Sequence, residues 1–173
     1  MIKVLVEAPI GSIGVTLEDG YLCELNPEPA STIRENAKLP ARVREQLSAY
    51  FEDASHNIVL PLHLRGTTFQ KRVWTALREI PSGSTVTYGA LARTLGTGAR
   101  AIGGACRANP CPIVVPCHRV VAGTGLGGFA GSSSGPKLEL KEWLLRHEGA
   151  LPPEPSPRSR GRFDGLTGTR LTA

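Results

Sequence analysis

The 173-residue chain has no apolar run near the ~20 residues needed to cross a bilayer, so no membrane span is expected. Its first residues, Met1-Ile2-Lys3-Val4-Leu5-Val6-Glu7, lack the long apolar core and small-residue cleavage site of a signal peptide, and they read as a strand. An intracellular, cytoplasmic location is the resulting expectation. No CxxC pair occurs among the four cysteines, Cys23, Cys106, Cys111 and Cys117, and Cys106-x4-Cys111-x5-Cys117 matches no common zinc spacing. A reducing compartment argues against disulfides. The glycine-rich stretch 123–135 carries neither a Gly-Lys-Ser/Thr ending nor a GxGxxG in a strand–helix context, which excludes the usual phosphate-cradling loops.

What is present is ordinary for a globular chain: 40% hydrophobic and 20% charged residues, at a length that suits one domain or two small ones. The charge is unevenly placed. Residues 1–63 carry five basic and nine acidic side chains, a balance of −4, whereas residues 64–150 carry eleven and four, a balance of +7. The tail from 151 has four basic and two acidic residues. A basic second half points to a polyanion partner or to a basic surface with none.

The first sixty residues alternate as strands do, with Asp19-Gly20 as a hairpin turn between Gly14–Glu18 and Tyr21–Leu25. Residues 26–32 read as loop. Val43, Leu47, Tyr50 and Phe51 recur at helical spacing over 40–53, and Ile58–Leu62 reads as a strand interrupted at Pro61. Beyond Gly66, Thr67 or Thr68 can cap a helix with Phe69, Val73, Trp74 and Leu77 on one face. Val86-Thr87-Tyr88 leads into a short helix to Leu95, stopped by Gly96-Thr97-Gly98, and a second runs from about Ala99 to Ala108; together they have the form of a helix-turn-helix. The second contains Gly103 and Gly104, which cost about 1 kcal/mol each relative to alanine. Close approach to a DNA groove, with Arg100 and Arg107 at the two ends, explains that cost, and tight helix–helix packing explains it as well. Lys137–His147 returns to helix, and residues from 151 onward read as a disordered basic tail.

Ile113-Val114-Val115-Pro116 reads as a short buried strand that delivers Cys117 and His118 at its end. A thiol attacks as thiolate, so a reactive Cys117 needs a lowered pKa and access. His118 can take the proton through a bridging water, and a His in that role needs an acid to orient it. Glu148, at the end of the last helix, is the best placed; Glu79, Glu139 and Glu142 are the other acids of the second half. A packed Cys-His core pair is the alternative.

Pro116-Cys117-His118-Arg119-Val120 resembles the signature of the O6-alkylguanine-DNA alkyltransferases, or methylated-DNA–protein-cysteine methyltransferases. The likeness extends to Arg100-Ala101-Ile102-Gly103-Gly104-Ala105, to Asn109-Pro110, to Gly128-Phe129-Ala130-Gly131 and to Lys141-Glu142-Trp143-Leu144-Leu145-x-x-Glu148-Gly149, in family order over residues 67–149. It implies an α+β fold: a small N-terminal α/β domain of ribonuclease H-like type over 1–64, then a mostly helical winged helix-turn-helix domain over 65–150. It implies single-turnover transfer of an alkyl group from O6-alkylguanine in double-stranded DNA to Cys117, with no cofactor, by a monomer. His118 and Glu148 would complete a water-linked network, Tyr88 would serve the leaving guanine and Asn109 would hold the turn that shapes the site. Arg100 would enter the stack as the damaged nucleotide flips out, since O6 of a stacked guanine is out of reach. Thr87, Ala101, Gly104, Ala105 and Arg107 would join it at the DNA, and Val120, Gly123, Phe129 and Ala130 would line the substrate pocket. The segment Gly131–Pro136 lengthens the pocket rim relative to the family. Some relatives bind zinc in the N-terminal domain; Cys23, His56 and His63 are possible ligands, but their irregular spacing predicts no zinc here.

Two other readings remain. A Cys-His hydrolase would need an oxyanion hole and would turn over. A catalytically silent helix-turn-helix protein that only recognises alkylated DNA would not need Cys117.

Overall fold

The computed structural model describes residues 1–27, 39–131 and 133–152. The tail from 153, and the loop expected over 26–32 beyond residue 27, lie outside the described residues. Three strands, β1 (Ile2–Ala8), β2 (Gly11–Glu18) and β3 (Tyr21–Asn26), form an antiparallel meander. Asp19 and Gly20 both adopt positive φ, 51° and 84°, as a tight two-residue hairpin turn requires. Val4, Ile13, Val15, Leu17, Leu22 and Leu25 are buried. Helix α1 (Ala41–Glu52) buries Val43, Leu47 and Tyr50, its i, i+4, i+7 stripe. The expected strand at 58–62 is only a single parallel bridge, Leu22 to Leu62. Pro61 has no N–H to donate, so that segment offers the sheet its carbonyl, which accepts from Leu22 N at 2.8 Å.

Helix α2 (Thr68–Arg78) starts with a capping box in which Thr67 and Gln70 satisfy each other's backbone N–H groups. It buries Val73, Trp74 and Leu77. The Trp74 indole donates to Ala105 O at 2.9 Å and ties α2 to α4 (Ala99–Arg107). Between them lies α3 (Tyr88–Thr94), capped by the Thr87 hydroxyl, and helix α5 (Pro136–His147) closes the fold. The short strands β4 (Val86–Thr87) and β5 (Val120–Val121) pair in parallel. The segments that follow them, Tyr88 at the start of α3 and the glycine loop after Val121, therefore leave from the same end. Gly127 (φ 67°) sits so close to Ala122 and the Tyr88 ring that a Cβ there would press on both.

The expected strand at 113–116 is instead a series of turns. Pro110, Pro112 and Pro116 lack ladder donors, Ile113 has φ 77°, and Val115 N turns back to Cys111 O at 2.8 Å. Cys117–Arg119 then forms one turn of 3-10 helix leading into β5.

Candidate alkyl-acceptor site

Asn109 organises the turn that precedes Cys117. Its Oδ1 accepts from Cys111 N at 3.0 Å, and its Nδ2 donates to Val115 O at 2.8 Å and to Cys117 Sγ at 3.1 Å. The thiol is 3% exposed. The resting thiol is not of low pKa, contrary to the sequence expectation. Burial pushes it up to about 11, against the lowering effects of the Asn109 hydrogen bond and the Lys141 charge.

His118 is fully buried, and its Nε2 lies 2.8 Å from Glu148 Oε1. Burial alone would raise the Glu148 carboxyl, but the hydrogen bonds and charges of His118 and Arg119 outweigh it and hold the group at about 2. A carboxylate can only accept, so His118 Nε2 carries the proton and Nδ1 the lone pair. Arg119 grips the carboxylate from the other side, Nε to Oε2 and Nη2 to Oε1, both at 2.9 Å, and its Nη1 reaches Ile80 O. Burial lowers the His118 pKa, with Glu148 opposing, which keeps the ring neutral at neutral pH.

A cavity of about 440 Å³ opens between α4 and the glycine loop, lined by Tyr88, Arg100, Cys106, Phe129 and Ala130 among others; Cys117, 3% exposed, is not part of its lining. The Tyr88 hydroxyl donates to Gly128 O at 3.1 Å, and burial raises its pKa to about 12. Arg100, Ala101 and Arg107 are exposed along α4. Of the expected pocket residues, Val120 on β5 is fully buried in the core and Gly123 is exposed on the loop; neither lines this cavity. Ala105 is buried, and its carbonyl accepts from the Trp74 indole. Thr87 spends its hydroxyl on the α3 cap.

Sequence reasoning missed Lys141, Arg119, Cys106 and Tyr50. Lys141 is fully buried and donates from Nζ to three carbonyls, Val120 at 2.6, Leu126 at 2.7 and Gly128 at 3.0 Å. The signal was its place on the Lys141, Leu144, Leu145, Glu148 stripe of α5, where an apolar residue is expected. Cys23 and His63 do approach each other, but with Glu18 rather than His56; ligand atoms of these three lie within 4.8 Å. Glu18 also pairs with Arg65 at 2.7 Å.

Residues 68–150 match the family described as 6-O-methylguanine DNA methyltransferase, DNA binding domain. Across 168 residues the chain is 40% identical to the methylated-DNA–protein-cysteine methyltransferase of Mycolicibacterium paratuberculosis, covering 92% of this chain and 96% of that protein. The chain belongs to the methylated-DNA–protein-cysteine methyltransferase family. A Mycobacterium tuberculosis OGT solved in complex with DNA is 34% identical, with a TM-score of 0.72 over 86% of this chain and 93% of that one. A DNA base-flipping protein of Thermus thermophilus is 46% identical over 116 residues, 65% of this chain and 76% of that protein. Within this methyltransferase family the present chain carries Cys117, held by Asn109 on the turn that also bears His118 and Arg119.

Proposed function

We propose that this protein repairs O6-alkylguanine in double-stranded DNA by irreversible transfer of the alkyl group to Cys117 after nucleotide flipping. The observation that carries this reading is the pairing of two buried sets of contacts on one turn, Asn109 with Cys117 and His118 with Glu148 and Arg119. His118 Nδ1 is buried with no partner among the described residues. A buried nitrogen of this kind needs one, and a water there would relay the Cys117 proton to it. The thiolate then attacks the alkyl carbon: the S–C bond forms, the C–O6 bond breaks and guanine leaves. Tyr88 supplies a proton or hydrogen bond to the leaving base. Burial keeps the resting Cys117 thiol protonated, so it becomes the nucleophile only as its proton is taken. The thioether product does not hydrolyse, so each molecule acts once, without cofactor.

The reading divides the chain into a ribonuclease H-like half (1–64), a winged helix-turn-helix half (65–150) and a tail (151–173). The α3–α4 pair supports the helix-turn-helix assignment. Arg100, Ala101, Gly104 and Arg107 would face the DNA, and the protein would act as a cytoplasmic monomer. Among the described residues no helix is long and apolar enough to cross a membrane. Incubation with O6-methylguanine duplex DNA is expected to add one methyl group per chain, on Cys117 by mass spectrometry. An unmodified Cys117 after full incubation overturns the reading, and repeated turnover would favour a hydrolase.

A further inference from the structure

The acidic first half reaches into the acceptor network through the side chain of Tyr50. Tyr50, on α1, donates its hydroxyl to Glu148 Oε1 at 2.8 Å across 98 residues of sequence. The same oxygen receives His118 Nε2 at 2.8 Å and Arg119 Nη2 at 2.9 Å, whereas Oε2 receives Arg119 Nε. Tyr50 is 1% exposed, and its ring meets Phe51 and His147 edge-on with centroids 5.4 and 5.3 Å away. A phenylalanine would pack as well; the hydroxyl is the part that packing does not require.

We propose that Tyr50 is a positioning residue for alkyl transfer, whose hydroxyl fixes Glu148 Oε1 and, through it, the tautomer and orientation of His118. This rests on the function proposed above. Three donors crowd one oxygen, so the hydrogen bond that Glu148 offers His118 is shared. Tyr50 therefore restrains how strongly Glu148 favours the charged imidazolium and keeps the ring neutral, with its lone pair at Nδ1. Burial and the Glu148 charge both push the Tyr50 pKa up, so its hydroxyl stays a donor throughout the working range. Among the described residues the other charged or titratable groups facing the pair are Arg119 on the same turn, Lys141 within α5 and, beside the Tyr50 ring, His147, whose Nε2 lies 2.8 Å from Tyr50 O. A second tie from the first half, Leu25 N to Pro110 O at 2.9 Å, meets the Asn109 turn.

Tyr50→Phe keeps the ring and removes the donor. Single-turnover transfer from O6-methylguanine duplex is expected to fall roughly ten-fold at the plateau, the cost of one hydrogen bond to a charged group. The DNA concentration giving half-maximal rate should not change, because Tyr50 lies away from α4. With one competitor gone, Glu148 accepts more strongly from His118, so the acid limb of the pH–rate profile should move to higher pH. In a Glu148→Gln background the same change should add nothing. A Tyr50→Phe protein with wild-type rate and acid limb overturns the inference, as does an undiminished ten-fold loss in the Gln background. Should Tyr50→Phe not fold, wild-type NMR decides. A slowly exchanging Tyr50 hydroxyl proton with a cross-peak to the His118 ring supports the proposal, and free exchange with water overturns it. A wild-type protein that acquires no methyl group overturns the function itself.

Discussion

Lys141 is the residue whose burial is hardest to explain by packing alone. A fully buried ammonium is costly, and burial pulls its pKa down to about 8. Three carbonyl acceptors offset that cost, and two of them, Leu126 and Gly128, belong to the loop bordering the cavity. Its charge also lies 5.7 Å from the centre of the Tyr88 ring, and Gly128 O accepts from both residues. Lys141→Met keeps the stem and leaves three buried carbonyls without that donor. Thermal or denaturant unfolding should show a loss of about 2–4 kcal/mol, together with slower alkyl transfer. A stability within 0.5 kcal/mol of wild type, the range of ordinary surface changes, would show that the clamp is dispensable.

At the scale of elements, α4 carries two opposite demands. Ile102, Ala105 and Cys106 face the core, and Arg100, Ala101 and Arg107 face out. Gly103 and Gly104 have open space where a Cβ would stand, so no packing against the rest of the described fold calls for them. Of the two explanations the sequence left open, that favours approach by an outside surface. Arg100→Ala is expected to slow repair of duplex DNA by roughly ten-fold or more while reaction with free alkylguanine base stays near wild type, since only the duplex requires a nucleotide to be extruded. Equal losses on both substrates would remove Arg100 from that role. The α4 boundaries were legible beforehand because Gly98 and Asn109-Pro110 punctuate it. The turns at 111–116 were not, because Ile-Val-Val reads as a strand and only the surrounding prolines and the Asn109 hydrogen bonds decide against it.

For the whole molecule, Glu148 is where α1, the Cys117 turn and the end of α5 meet. Its folded pKa, about 2, lies below the ordinary 4.5. The stability it contributes is therefore fully present above about 4.5 and is lost as pH falls toward 2. His118, with a lowered pKa, adds a loss in the same direction below its ordinary 6.5. The melting temperature of the wild type should drop through the window from 4.5 to 2, and Glu148→Gln should start lower and show a shallower drop there. Parallel curves for the two proteins would refute the coupling.

Much of this protein was determined by its sequence alone. Local rules such as the Asp19-Gly20 turn, the Thr67 cap and the 3.6-residue stripes act over a few residues, so the hairpin and the five α-helices of the described residues could be read directly. The Cys-His dipeptide and Glu148 were recognisable by residue type and order. Only the tertiary structure decided the tautomer of His118, the raised pKa of Cys117, the burial of Lys141 and the arrival of Tyr50 from the other half. Each of these depends on desolvation or on a contact between residues far apart in the chain, and neither leaves a local pattern to read.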